Sequence, residues 1–237
     1  MAKGLAESRA RAKAAIEAGG VLVGDQRVSK ASELVDDSAD LTLTPAHPWV
    51  GRGALKLVRA FEAFDLPESP LSVLDVGSST GGFTEVCLSR GAQTVYAVDV
   101  GRDQLHPKLR ADPRVVVLEG VDARHLTPAL IPIAPGLVVC DASFIGLAKV
   151  LPAALGVARN GADLIALVKP QFEVGPGVVG KGGLVTDPAI HQRVIEAVGV
   201  FLSEAGWTVV GVADSPITGG SGQVEFLIHA RKAKPQG

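Results

Sequence analysis

Between Ser8 and Ala18 the alanines and Ile16 fall on one side of a 3.6-residue repeat, with Arg9, Arg11 and Lys13 around it, so this stretch predicts a helix. Gly19-Gly20 closes that helix, because glycine takes the left-handed cap conformation without a Cβ clash. Val21-Leu22-Val23, Gly24-Asp25 and Val28 then predict a strand, a turn and a second strand, and Asp40-Leu41-Thr42-Leu43 a further one. Thr44-Pro45-Ala46-His47-Pro48 interrupts the pattern, since its two prolines oppose both helix and central strand. The expected division is a small module over residues 1–43, a linker over 44–51 and a large domain over 52–237.

Beyond the linker the pattern alternates between helical and extended spacing. Leu57, Phe61 and Phe64 share one helical face and predict a helix over Gly53–Phe64. Strands are expected at Leu71–Val76, Thr94–Val98, Val115–Leu118, Leu137–Cys140, Asp163–Val168, Trp207–Val212 and Val224–Ile228. Helices fit Gly82–Ser89, Leu147–Ala158 and Pro188–Ala205, and Gly175–Gly183 reads as a mobile loop. That alternation predicts an α/β fold with a doubly wound, mainly parallel sheet.

Composition narrows the picture. A chain of 237 residues, 47% of them hydrophobic, has room for one large core and a small module. Aromatics are 4%, so Val, Leu, Ile and Ala must build the core. A net charge of -2 neither predicts nor excludes nucleic acid. Residues 1–30 are locally basic, with six Lys or Arg against three acids. A basic helix followed by a hairpin suits a surface that holds a phosphate backbone through Arg9, Arg11, Lys13, Arg27 and Lys30. On charge alone an ordinary solvated helix face is the favoured reading. Cys87 and Cys140 sit among apolar neighbours without metal-ligand spacing, which suggests buried free thiols and no metal. No apolar run reaches the ~18 residues of a membrane span, and Met1–Arg9 has no apolar signal region, so a cytoplasmic chain without a membrane partner is expected.

The strongest local signal is Leu74-Asp75-Val76-Gly77-Ser78-Ser79-Thr80-Gly81-Gly82-Phe83, an apolar strand that runs through glycines straight into a helix. Glycines let the backbone turn tightly and a ligand lie against it. Asp99 closes the next strand about twenty residues on, where a ribose hydroxyl requires a carboxylate. The run is neither G-x-G-x-x-G nor a phosphate-binding P-loop. Asp122, after the third strand, suits an adenine amino group or a helix cap.

Two charged residues close apolar strands: Asp141 after Leu137–Cys140 and Lys169 after Asp163–Val168. Ligands of open α/β sheets bind outside the carboxyl ends of the strands, so both should face the cofactor. A lysine there is costly to bury unless paired. Glu225, inside the expected last strand, and Lys56, on the first helix of the domain, each have a plain solvent-facing reading when taken alone.

In this order Lys56, Asp141, Lys169 and Glu225 resemble the Lys-Asp-Lys-Glu tetrad of the FtsJ/RrmJ-type ribose 2′-O-methyltransferases. Trp49–Leu57, Asp75–Glu85, Asp141–Ile145 and Lys169–Glu173 are similar to the TlyA, or haemolysin-A-like, branch, and Gly4–Lys30 to its S4-type RNA-binding module. The resemblance covers nearly the whole chain, with the S4-like module incomplete at its N-terminus. It implies a Rossmann-like domain of seven strands with an antiparallel last strand. It further implies S-adenosylmethionine as cofactor, held by Asp75, Gly77–Phe83, Asp99, Asp122 and Asp141, and methyl transfer to a ribose 2′-hydroxyl of ribosomal RNA, a cytidine by resemblance. Lys169 is then expected to take the proton as a neutral amine. Asp141 would orient that amine and steady the sulfonium charge, while Glu225 positions Lys56 and the ribose. Three rival readings are a membrane-active cytolysin, a non-catalytic ribosome-binding factor and a base methyltransferase. The sequence opposes the first by its lack of a span and the third by Asp141-Ala142-Ser143-Phe144 in place of an Asn/Asp-Pro-Pro-Tyr-like motif.

Overall fold

The computed structural model describes residues 3–36, 38–66, 72–175, 177–220 and 222–234. The chain divides into two compact units, residues 1–48 and 49–237, with the division inside the expected linker.

In the small unit, helix α1 (Arg9–Glu17) begins at Ser8, whose hydroxyl accepts the Arg11 N–H at 3.2 Å. That contact satisfies one of the amide donors a helix start leaves unpaired. Three antiparallel strands follow in the order β2 (Gln26–Arg27), β1 (Val21–Val23), β3 (Leu41–Leu43). Ala15, Val21 and Val28 form the core, with Leu41 and Leu43 packed on it. Val28 was expected in the second strand; instead it follows β2 and turns inward to 4% exposure, its N–H on the Val21 carbonyl.

The large unit opens with α2 (Ala54–Ala63), then β4 (Ser72–Val76), α3 (Gly82–Ser89), β5 (Thr94–Asp99), α4 (Pro107–Arg110) and β6 (Val115–Glu119). After β7 (Leu137–Cys140) come α5 (Leu147–Val150), α6 (Pro152–Val157), β8 (Asp163–Val168), α7 (Pro170–Glu173), α8 (Pro188–Glu204), β9 (Trp207–Asp214) and β10 (Phe226–Lys232). The seven strands form one sheet in the order β6-β5-β4-β7-β8-β10-β9. Pairing is parallel from β6 to β8, whereas β10 runs antiparallel to both its neighbours. Strands β4, β7 and β8 are buried along their whole length, as expected when helices cover both faces of a sheet. One core packs α2, α3 and α4 on one face, through residues such as Leu57, Val86 and Leu109. The other packs α5, α6 and α8 on the opposite face, through Val150, Leu155 and Leu202. This is the doubly wound architecture, and strand order reverses between β4 and β7.

Two expectations shift. The single helix over Leu147–Ala158 is divided at Leu151, because Pro152 lacks the N–H that would carry the ladder through. The last strand starts at Phe226 and continues to Lys232, so Val224 and Glu225 precede it. The polar residues His229 and Arg231 lie beyond the expected end at Ile228, and both find a partner in Asp163 of β8.

Candidate active site

The loop between β4 and α3 lies at that reversal point. Gly77 has φ 80°, and a Cβ there would come 2.9 Å from Ala142 Cα. The loop therefore approaches the chain after β7 more closely than any side chain allows. Gly81 has φ 95°, and a Cβ would meet Leu109 Cδ1 at 2.2 Å. Its glycine serves the turn and the packing of α4.

Beside this loop opens a cavity of about 610 Å³ bordered by Gly77, Ser79, Asp99, Asp122, Asp141 and Phe144. Asp99 holds its floor: one carboxylate oxygen accepts the Ser79 N–H at 2.8 Å and the other the Gly101 N–H at 2.7 Å. A carboxylate offers about four acceptor sites, so capacity remains for a diol. Asp122 caps a 3-10 turn through the Arg124 N–H at 2.9 Å and also borders the cavity; Arg124 holds its carboxyl down at about 2. Glu119 accepts the N–H groups of Asp103, Gln104 and Leu105, which fixes the loop after β5 that forms another wall. Val98, Val121, Ile145 and Val150 give the same cavity apolar sides.

A smaller cavity of about 270 Å³ shares Gly77, Ser79, Asp141 and Ser143 with the first. Ser78, Thr80, Gly82 and Phe83 border it, as do Lys56, Lys169 and Glu225. Here the four charged residues meet. Lys169 Nζ lies 2.7 Å from Asp141 Oδ1 and Lys56 Nζ 3.3 Å from Asp141 Oδ2. Lys56 Nζ is also 2.6 Å from Glu225 Oε2. Both lysines and Glu225 are buried, so each charge needs the others to offset its lost hydration. Antiparallel β10 explains the meeting. Phe226 pairs with Val168, so Glu225 arrives at the carboxyl rim beside Lys169 instead of pointing to solvent from mid-strand.

The remaining expected positions are more scattered. Asp75 is fully buried beneath the loop, where Thr84 Oγ1 donates to it at 2.7 Å; it borders neither cavity, and burial pushes its carboxyl up to about 7. Gly81 borders neither cavity. In the small unit Arg9, Lys13, Arg27 and Lys30 are exposed and Arg11 is half-buried, 2.9 Å from Glu7. Two residues escaped the sequence reading. Ser143 accepts from Lys169 Nζ at 2.8 Å, and Phe144, at φ 67° and 90% exposed, stands at the mouth of the larger cavity. A serine or phenylalanine after an acid carries no signal of its own; only the turn at Phe144 makes both visible.

An adenosine-bearing, cationic ligand fits what is present. Asp99 has free acceptor capacity for a ribose, apolar walls suit a purine, and Asp141 stands as an anion where the two cavities join. Fold and site thus define an S-adenosylmethionine-dependent methyltransferase.

A profile described as FtsJ-like methyltransferase matches residues 49–232, and one described as S4 domain matches residues 1–41. A 16S/23S rRNA (cytidine-2′-O)-methyltransferase TlyA of Mycobacterium tuberculosis is 50% identical, across 97% of this chain and 86% of its own length. Hemolysin A of Brachyspira hyodysenteriae is 35% identical, across 96% of this chain and 95% of its own. A solved protein of Streptococcus thermophilus described as a hemolysin superposes with a TM-score of 0.80 at 41% identity, covering 98% of this chain and 86% of its own. The chain belongs to the FtsJ-like methyltransferase family, in its TlyA branch.

Proposed function

We propose that this protein methylates the 2′-hydroxyl of a ribose in ribosomal RNA, a cytidine being the target, with Lys169 as general base. The observation that carries this reading is the buried network of two lysines and two acids where the two cavities join. The name of the Mycobacterium tuberculosis relative supports the substrate.

Bound in the larger cavity, S-adenosylmethionine supplies an electrophilic methyl group on a cationic sulfur. The protein's residues do the rest. A ribose hydroxyl is a weak nucleophile at neutral pH, so a base must take its proton as attack proceeds. Lys169 Nζ contacts two residues that both cavities share, Asp141 at 2.7 Å and Ser143 at 2.8 Å. Lys56, fixed by Glu225 at 2.6 Å, donates toward the substrate oxygen and keeps it in line. The exposed cations Arg9, Lys13, Arg27 and Lys30 give the S4 domain a sequence-independent grip on phosphates. The target nucleotide must leave its helix to bring the 2′-oxygen into the smaller cavity. Such a substrate sets the site of action in the cytoplasm, with the ribosome. Despite the hemolysin names among its relatives, no helix of the described residues is long and apolar enough to cross a membrane.

The test is to incubate the protein with unmethylated ribosomal subunits and labelled S-adenosylmethionine, then digest the RNA to nucleosides for mass spectrometry. The label is expected on the sugar fragment of cytidine. A label on the base fragment, or none on RNA while the cofactor binds, overturns the proposal.

A further inference from the structure

We propose that Ser143 relays the proton from the substrate hydroxyl to Lys169, so that the base works through the serine and not by direct contact. The inference rests on the reading of Lys169 as base made above.

Lys169 Nζ has three polar neighbours: Asp141 Oδ1 at 2.7 Å, the Asp141 carbonyl oxygen at 3.0 Å and Ser143 Oγ at 2.8 Å. An ammonium has three N–H donors: the Asp141 carbonyl and Ser143 Oγ take hydrogen bonds from two of them, and the Asp141 carboxylate lies against the ammonium as an ion pair. A neutral amine has two N–H groups and one lone pair. A carboxylate and a carbonyl can only accept, so they must keep the two N–H groups. The lone pair is then left facing Ser143. A hydroxyl is the one neighbour able to reverse its role, accepting from the ammonium and donating to the amine. Ser143 therefore satisfies Lys169 in both protonation states, at the cost of a rotation about one bond.

That arrangement has a consequence for chemistry. With the amine's lone pair occupied by the Ser143 proton, a substrate hydroxyl cannot reach Nζ without breaking that partly buried hydrogen bond. It can reach Oγ: Ser143 is exposed, and it borders both the cofactor cavity and the smaller cavity that holds the tetrad. In the reacting step the ribose oxygen bonds to the methyl carbon and the carbon–sulfur bond breaks, its electron pair staying on sulfur. The ribose proton passes to Ser143 Oγ as the serine's own proton passes to Lys169 Nζ. The serine ends as it began, the sulfonium has become a neutral thioether, and the positive charge now rests on Lys169. Asp141, already in contact with that amine, receives the new cation without reorganisation.

The test uses the full-length protein with unmethylated ribosomal subunits under single-turnover conditions. Two protons move in one step, so the rate in mixtures of light and heavy water should curve downward as a bowl with deuterium content. A straight line for the wild type overturns the relay, and that measurement needs no variant to fold. Ser143→Ala is expected to lose about 100-fold in rate, with S-adenosylmethionine affinity by calorimetry within a few-fold of wild type and a linear deuterium dependence of what remains. Ser143→Thr, which keeps the hydroxyl, should recover most of the loss. A Ser143→Ala variant of near wild-type rate sinks the relay alone, provided Lys169→Ala is inactive; if Lys169→Ala is itself active, the base assignment beneath it has failed.

Discussion

Strands β8 and β10 carry a cluster of polar and charged side chains at each end, built on buried groups, and the two clusters differ in a telling way. At the start of β8, Asp163 accepts from Arg231 Nε at 2.9 Å and lies 2.8 Å from His229 Nε2, with the Phe64 ring tilted against the histidine at 5.3 Å between centroids. At the carboxyl end, Lys169 and Glu225 join Lys56 and Asp141. Both clusters are costly to desolvate and both are satisfied by pairing. Only the second borders the two cavities, beside a glycine loop that leaves room for a ligand. Burial of charge alone therefore says nothing about catalysis in this molecule. What sets apart the cluster proposed for catalysis is which edge of the sheet the charges occupy, and whether space lies next to them.

The contrast can be broken most sharply at the carboxyl end. Lys56→Met keeps the side chain's length but removes the partner of Glu225, and turnover per folded molecule should fall by at least about 100-fold. Single-turnover methyl transfer checks this, alongside calorimetry in which cofactor affinity stays within a few-fold. At the other end, Asp163→Ala should cost about 3 kcal/mol of stability in urea unfolding, because His229 loses its carboxylate and Arg231 its anchor. The folded fraction of that variant should keep its rate; a rate loss comparable to Lys56→Met would erase the distinction between the clusters.

Smaller effects sharpen the boundary of the cofactor cavity. Asp99→Ala removes the carboxylate that fixes Ser79 and Gly101 and is expected to weaken S-adenosylmethionine binding about 10- to 100-fold, as loss of a charged hydrogen-bond acceptor does. Unchanged affinity would remove Asp99 from the site. Asp75 marks the other side of that boundary, since it is buried below the loop with its carboxyl pushed up to about 7. Between about pH 4 and pH 7 the folded protein holds a proton there that an unfolded aspartate has released, so this residue makes stability decline as pH rises through the window. Asp75→Asn should flatten that decline, seen as a smaller stability difference between pH 5 and pH 8 in urea titrations. An unaltered difference would mean that Asp75 carries no such burden.

Much of the fold was legible because its central strands are largely apolar runs, each ending at a glycine or a charged residue. Leu137–Cys140 and Asp163–Val168 stand where the pattern puts them. The ends were harder. The expected last strand stopped at Ile228, whereas the observed one runs on through His229 and Arg231, whose polar side chains meet Asp163 across the sheet. At the near end, an expected start at Val224 instead of Phe226 put Glu225 inside the strand, where alternation would send it to solvent. Individually Glu225 and Lys56 looked ordinary, and only the order of four charged residues, matched as a pattern, singled them out. Ser143 lay inside the family-like stretch Asp141–Ile145 without being singled out, since its contact with Lys169 joins the chain after β7 to the end of β8.

The most direct test of the central claim is the single-turnover rate of Lys169→Ala on unmethylated ribosomal subunits, measured with S-adenosylmethionine at saturation and its affinity determined separately. A fall of about 1,000-fold or more with cofactor affinity preserved within a few-fold is the predicted result. Methyl transfer at the wild-type rate would contradict the account and leave the rim cluster with no more than the structural part that Asp163 plays at the other end.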